Sequence, residues 1–273
     1  MTPAVRRGVG AALAGFALAA PAGADSLGDN DAPRFMPAED AAAFSKQIER
    51  TLADNGARVA LVFRSGRRRE DLPDGVGYTH GAFWVHQAFQ TETGQTVAGY
   101  GVYNLYSGED GDGLVSYLHQ DFPIDFVISS AIHDVAVLIP TPELQKRLFQ
   151  VMASETYQAL HRPDYSLLSH PHDRQFQNCN EFMLDVMGAA IWDTDDIDRI
   201  KANLSAYFEP TKLKLGFFKT RLAPFVDERA RREDQSGRFR TVTQQSLQAF
   251  MAEYSLLQTA LTVTYSGAPE PSG

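Results

Sequence analysis

The sequence is poor in several things at once. Among its 273 residues it has one cysteine and two tryptophans. A single cysteine excludes an internal disulfide and any metal site built on several thiolates. Basic residues are outnumbered by acidic ones, 25 to 34, for a formal charge of −9. No basic stripe interleaved with aromatics occurs, so nucleic acid is not an expected partner. The one dense basic run, Arg64-Ser-Gly-Arg-Arg-Arg69, is followed at once by Glu70 and Asp71 and reads as a solvated loop. Beyond the N-terminus no apolar run is long enough to cross a bilayer.

The N-terminus itself reads as a secretory signal peptide over residues 1–24. Arg6 and Arg7 form a basic start, Gly8 to Ala20 an apolar middle, and Ala22-Gly23-Ala24 an A-x-A cleavage site. Cleavage after Ala24 removes two arginines and no acids, so the mature charge becomes −9 − 2 = −11. The expectation is an exported protein, periplasmic or secreted, with no transmembrane segment. In an oxidising compartment a solitary thiol is worth attention as a reactive or intermolecular group.

Residues 25–35 are polar and rich in Gly and Pro, a flexible leader. Pro37-Ala-Glu-Asp40 opens a helix with Ala41, Phe44, Ile48 and Leu52 on one face, closed by Asn55-Gly56. Residues 57–63 read as a buried strand. Tyr78 to Phe89 and Thr96 to Tyr106 read as a β-hairpin, with His80, Ala82, Trp84, His86 and Ala88 on one face by period two. Residues 114–119, 126–129 and 134–139 are expected to be extended. Thr141-Pro142 starts a helix that runs to Pro163. A polar loop, 164–178, leads to a helix opening near Cys179. Asp193-Thr-Asp-Asp196 caps another helix. Residues 212–218 form a short strand or turn, 224–232 a charged helix, 243–257 a last helix, and 266–273 a disordered tail. The fold class is α+β, with one domain over 36–265 that carries a helical C-terminal extension from about 193.

The segment Gln175-Phe-Gln-Asn-Cys-Asn-Glu-Phe182 carries the chemistry. A thiol at a helix N-terminus meets free backbone N–H groups and the positive end of the dipole, which favour the thiolate. Such a thiol needs a base, and His80 at the head of a strand is the candidate. The polar neighbours Gln177, Asn178, Asn180 and Glu181 point to partial exposure of Cys179. The plain alternative is a buried cysteine acting as a small hydrophobe. For the group that orients the imidazole, pairing the hairpin about its turn puts residues 104–107 opposite His80 and favours Asn104; His86 lies too far along the same strand. Oxyanion or cleft donors are sought in Tyr78, Gln175, Gln177 and Asn178 beside the Cys179 backbone N–H. His170-Pro-His172-Asp173 is the weak metal candidate, with a plain polar loop as its alternative. The chemistry needs no cofactor.

A histidine on a strand followed by Asn178-Cys-Asn-Glu-Phe182 at a helix start resembles the circularly permuted branch of the NlpC/P60 papain-like superfamily. That branch includes lecithin:retinol acyltransferase-like and YiiX-like proteins. The superfamily resemblance covers about residues 57–190. The whole pattern, N-terminal segment included, also resembles an uncharacterised bacterial family, domain of unknown function 2145, and that resemblance covers most of the mature chain. The resemblance implies a permuted papain-like fold with an antiparallel sheet packed on helices, Cys179 as nucleophile and His80 as base. It implies hydrolysis or acyl transfer at an amide or ester, with a cell-wall peptide the leading substrate and a lipid-like ester next. Two other readings stand beside it: a non-catalytic binding module on the same scaffold, and a metal-binding protein through His170, His172 and Asp173.

Overall fold

The computed structural model describes residues 33–109, 111–213 and 229–267. The expected signal peptide, most of the expected leader, the 214–228 portion of the expected extension and the last six residues fall outside them.

A six-stranded antiparallel sheet organises the chain. It is built from β1 (Val59–Arg64), β2 (His80–Gln90), β3 (Thr96–Glu109), β4 (Asp112–Asp121), β5 (Asp134–Pro140) and β8 (Leu257–Thr264), in the order β4-β3-β2-β1-β5-β8. β1 is buried at all six positions, as a central strand covered on both faces must be. On one face α1 (Ala38–Asp54) and α2 (Pro123–Ile128) cover Ala60, Val62, Ala82, Trp84 and Val137. On the other, α3 (Pro142–Met152), α5 (Cys179–Trp192), α6 (Ile197–Tyr207) and α7 (Gln244–Glu253) cover Leu61, Phe63, Phe83, Val85 and Leu138. A short ribbon, β6 (Thr211–Leu213) and β7 (Phe239–Thr241), stands apart from the main sheet.

Several expectations hold and some do not. The α+β class and the antiparallel sheet on helices are as expected, and α1 closes at Gly56 with φ +65°. The region 126–129 is the end of α2, not a strand. Pro123 is pre-set for a first helical turn, and the Asp125 carboxylate accepts from the Phe122 N–H at 3.3 Å. The helix expected from Thr141 to Pro163 breaks at Ala153-Ser154 into α3 and α4 (Glu155–Ala159). Residues 229–232 form a turn, a bend and irregular chain, not helix, and residues 224–228 lie outside the described residues. The C-terminal part is not wholly helical, because β8 adds to β5 over Asp134–Pro140 and becomes an edge of the main sheet. The tail begins later than expected, since Ser266 still donates its N–H to the Gln47 side chain.

α5 is the element that positions the site, and it is unusual in having no solvated face. Every residue from Cys179 to Ala190 is buried, Glu181 and Asp185 included. These two carboxylates are held by Lys201 of α6, whose Nζ lies 2.7 Å from Glu181 Oε1 and from Asp185 Oδ1. Arg162 approaches at 3.5 and 3.8 Å, and Gln177 Nε2 donates to Asp185 Oδ2 at 2.9 Å. Burial and the neighbouring Asp185 raise the Glu181 carboxyl from 4.5 to about 7, against the pull of Lys201. Its contribution to stability is thus complete below pH 4.5 and is lost as pH rises toward 7.

Removing one partner of such a network strands a charge in a low-dielectric interior. Lys201→Met should cost about 3–5 kcal/mol of unfolding free energy, read by urea denaturation at neutral pH. A loss below about 1 kcal/mol would mean that water enters the cluster and screens it.

Candidate functional site

Asn178 is the N-cap of α5. Its Oδ1 accepts from the Glu181 N–H at 3.0 Å and its Nδ2 donates to Leu167 O at 3.2 Å. The next residue, Cys179, therefore sits where free backbone N–H groups emerge. The helix end rests on the head of β2. A Cβ added at Gly81 would lie 2.7 Å from Asn180 Oδ1 and 2.7 Å from the Phe63 ring. Only glycine allows this approach, and Gly81 directly follows His80.

The sulfur is buried, with 6% of the residue exposed. The expected partial exposure is not found. The polar neighbours Gln177, Asn178, Asn180 and Glu181 are buried too, because each is satisfied inside the protein or held in the ionic cluster. The expected lowering of the thiol pKa is reversed as well. Burial pushes the Cys179 thiol up, and the backbone N–H groups of Gly81, Asn180 and Cys179, with the Arg64 guanidinium, offset that only in part.

His80 and Asn104 come together as expected. His80 Nε2 is 2.9 Å from Asn104 Oδ1. An amide oxygen can only accept, so this nitrogen carries the proton and Nδ1 is left with its lone pair. Register explains the contact. Phe83 pairs with Tyr103, so Ala82 lies opposite Asn104 and His80 reaches it along the diagonal. Asn104 is held in turn by Asp121, whose Oδ2 accepts from its Nδ2 at 2.9 Å and from the Tyr106 hydroxyl at 2.6 Å. The imidazole stacks on Tyr106, with centroids 5.1 Å apart and planes 10° apart, and leans on Phe126 at 5.7 Å.

The ring thus lies on the face that α1 and α2 cover, while Cys179 belongs to the core of the other face. Both border Gly81 at the end of the sheet: His80 precedes it in β2, and the Cys179 thiol accepts from its backbone N–H. Among the described residues no hydrogen bond joins the sulfur to the ring, and the thiol has a polar side-chain contact with Asn180 Oδ1 at 3.9 Å. Desolvation, with Arg64 as the next cause, lowers His80 from 6.5 to about 3, against the support of Asn104 and Asp121. Thiol and imidazole are therefore both neutral at pH 7.

A cavity of about 290 Å³ opens beside Cys179. Its walls include Tyr78, Asn178 and Asn180. Tyr78 lines it with its ring, since its hydroxyl donates to Asp134 Oδ1 at 2.8 Å. Gln177 is not a cleft donor. Its amide bridges Leu160 O, Asp185 and the Arg162 N–H, which ties the 160–178 loop to α5. Gln175 is exposed and stands outside the cavity wall. His86, at the far end of β2, pairs its Nδ1 with Arg58 at 2.8 Å. The metal candidates are not gathered into a ligand set. His172 Nε2 bonds Phe208 O at 3.1 Å, His170 Nδ1 accepts from the His172 N–H, and Asp173 Oδ1 accepts from the Gln175 N–H. Among the described residues no three His, Cys, Asp or Glu side chains are placed to hold a metal ion.

Sequence reasoning missed Asn180, Asp121, Tyr106 and Arg64. Arg64 stands directly opposite His80 in the β1–β2 register and is 8% exposed. Its signal was present, a charge at the end of an apolar strand, but it reads equally as the start of a solvated loop.

Two measurements check this geometry. An unfolded His80 takes up a proton below about 6.5, whereas the folded one does so only near 3; the folded state therefore loses stability as pH falls through that window. In side-chain nitrogen NMR, His80 should stay a neutral Nε2–H tautomer from pH 8 down to about pH 4, and a midpoint near 6.5 would show a solvated ring. Gly81→Ala should cost about 1–3 kcal/mol by overpacking and change the alkylation rate of Cys179; native stability and reactivity would place the helix end farther from β2.

No curated protein and no solved structure matches the chain. A family model does, over residues 51–251, and by that match the chain belongs to a family of uncharacterised proteins conserved in bacteria, DUF2145.

Proposed function

We propose that the protein is a cysteine hydrolase or acyl-transfer enzyme that uses Cys179 as nucleophile and His80 as base. The observation that carries this reading is the His80 Nε2 to Asn104 Oδ1 bond of 2.9 Å beside a thiol at a helix N-terminus on a cavity wall. A structural histidine does not need an amide, itself fixed by a buried carboxylate, to choose its tautomer.

With both partners neutral, the thiolate forms as the sulfur attacks. The thiol proton passes to His80 Nδ1 while the S–C bond to the substrate carbonyl forms. The oxyanion faces the N–H groups that emerge at Cys179 and Asn180. Collapse breaks the bond to the amine or alcohol, which leaves with the proton from His80. Water or a second acceptor then attacks the thioester, with His80 again as base. Asn104 holds the ring, and Asp121 holds Asn104. The fold proposed for this chemistry is the permuted papain-like one, with the histidine strand ahead of the cysteine helix. A cell-wall peptide is the first substrate class and a lipid-like ester the second; both follow from the resemblance. The N-terminal 24 residues, read as a signal peptide, put the enzyme in the periplasm or outside the cell.

The second reading is a non-catalytic binding module on the same scaffold. It is favoured by the raised thiol and by the lack of a sulfur–imidazole hydrogen bond. A generic acyl donor separates the two. With p-nitrophenyl acetate an active site should give a burst of p-nitrophenolate equal to the protein present, with one acetyl group on Cys179. The burst should vanish in Cys179→Ala, slow about 10²- to 10⁴-fold in His80→Ala, and slow less in Asn104→Ala. Acylation no faster than that of a free cysteine, and equal in His80→Ala, would leave the binding module.

A further inference from the structure

The main sheet has two outer edges, and they are treated differently. On β4 the chain after α4 lies along the edge: Ser116 donates its N–H to Pro163 O at 2.8 Å, and Tyr165 donates its own to Leu114 O at 2.7 Å. β8, at the other end of the strand order, pairs with β5 alone among the described residues. Its unpaired side is fixed residue by residue. Tyr265 donates its N–H to His133 O at 2.8 Å, and the register with β5 is unbroken from Thr264 back to Thr259. In an antiparallel ladder each residue sends both backbone groups the same way, and the direction alternates. Thr259, Leu261 and Val263 therefore turn theirs toward β5, while Ala260, Thr262 and Thr264 turn theirs outward. Thr264 agrees with this: its O accepts from Gln47 Nε2 at 2.8 Å, and Gln47 Oε1 accepts from the Ser266 N–H at 3.1 Å.

A row of free N–H and C=O groups pairs with any strand that fits, so natural edges are guarded by charge, proline or a bulge. On β8 the guards stand only at the ends. Gln47 fills the outward position at Thr264, and the register slips between Ile139 and Pro140, opposite Leu257. Between them the outward groups of Ala260 and Thr262 have no hydrogen-bond partner among the described residues. From Tyr254 to Gly267 there is no Asp, Glu, Lys, Arg or Pro, in a chain whose formal charge is −9. Ala260 and Thr262 are exposed, and Leu261 is only partly buried against the cluster under α1.

We propose that β8 is the docking edge for a second copy of this chain, paired antiparallel about a twofold axis at Leu261. The free groups are themselves symmetric about that residue. Ala260 faces Thr262 of the second copy, and the two exchange both hydrogen bonds, the N–H of each donating to the O of the other. Leu261 lies against its own image and covers the apolar surface that α1 leaves open. Moving the axis to Thr262 would need Thr264 O, which Gln47 holds; moving it to Ala260 would bring in Gln258 at the slip in register. Self-pairing requires an uncharged strand, because a charge near the axis meets its like, whereas a foreign peptide sets no such condition. The contact is small, so association with a Kd in the micromolar range is expected, not a permanent dimer. The inference is independent of the roles given to Cys179 and His80.

Sedimentation equilibrium of the purified protein, with hydrogen exchange of the Ala260 and Thr262 amides followed by NMR, tests the pairing. At about 100 μM the mass should approach twice that of the monomer and fall back on dilution, with both amides protected only in the concentrated sample. Ala260→Pro removes an N–H that β5 does not use, at a position where an edge strand accepts proline. It should leave the thermal midpoint near that of the wild type and weaken self-association about 30-fold or more, since each copy loses one hydrogen bond across the axis. Thr262→Glu should weaken it too, and more at low salt than at high. A monomer at about 100 μM overturns the inference. So do amides protected at every dilution, which would mean that the edge is covered within one chain, and a dimer that persists in both folded variants. Should Ala260→Pro fail to fold, Thr262→Glu and the amide exchange decide it.

Discussion

The position of Cys179 depends on how α5 survives burial on every side. A helix with no solvated face must satisfy its polar residues inside the protein, and Glu181 and Asp185 lie two and six residues beyond the cysteine. Lys201 meets both carboxylates, Gln177 adds an amide, and Arg162 completes the cluster. The same contacts fix three pieces of chain: α6 through Lys201, the loop through Gln177, and the approach to β4 through Arg162 and the Ser116 hydroxyl, which donates to Arg162 O. The cluster thus sets the axial position of α5 and with it the distance of the thiol from Gly81. A wholly apolar helix could slide along the sheet; this one is pinned by charge.

The electrostatics of the thiol and imidazole follow from that seating. Helix N-terminus N–H groups and a nearby guanidinium favour a thiolate by amounts on the order of 1 kcal/mol each. Full burial of a charge without a close counter-ion costs several times as much. Desolvation therefore wins at Cys179 and again at His80, where the shift to about 3 is larger than one amide bond can oppose. A resting ion pair is not what this arrangement stabilises. It stabilises a neutral pair, and under the catalytic reading proposed above the thiol proton would move only as the sulfur attacks.

How far this was legible in the sequence varies with the range of the interaction. The hairpin, the burial of β1, α1 with its glycine stop and the placing of Cys179 at a helix start all follow from local pattern, and they are correct in kind. So is the contact of His80 with Asn104, because a hairpin register can be counted from its turn. What the pattern could not carry is the side of the sheet. Period two puts His80 with Ala82 and Trp84 correctly, but nothing local says that α5 covers the opposite face. The state of the thiol was misread for a related reason. Polar neighbours in sequence suggest solvent, yet Glu181 and Gln177 are paired with Lys201 and Asp185, eight to twenty residues away. Asp121 reaches Asn104 only through β4 pairing with β3, and β8 joins the sheet beside β5 from more than a hundred residues downstream.

The strongest argument that this end of the sheet was shaped for chemistry is what it costs. Asp121, Asn104, Tyr106 and Arg64 are polar groups on a face otherwise filled by Trp84, Val102 and Phe126. Apolar residues of like size would pack there without any hydrogen bond to satisfy, and replacing buried polar networks in this way is often neutral or stabilising. The unpartnered Arg64 Nε alone costs on the order of 1–3 kcal/mol in desolvation. Their bonds run from β4 through β3 to one imidazole on β2, and Arg64 ties β1 to the end of α2 through Ser129 O. Stability explains the cluster under α5. The chain of bonds that ends on His80 fixes one imidazole tautomer, which is what the catalytic reading proposed above requires of a base.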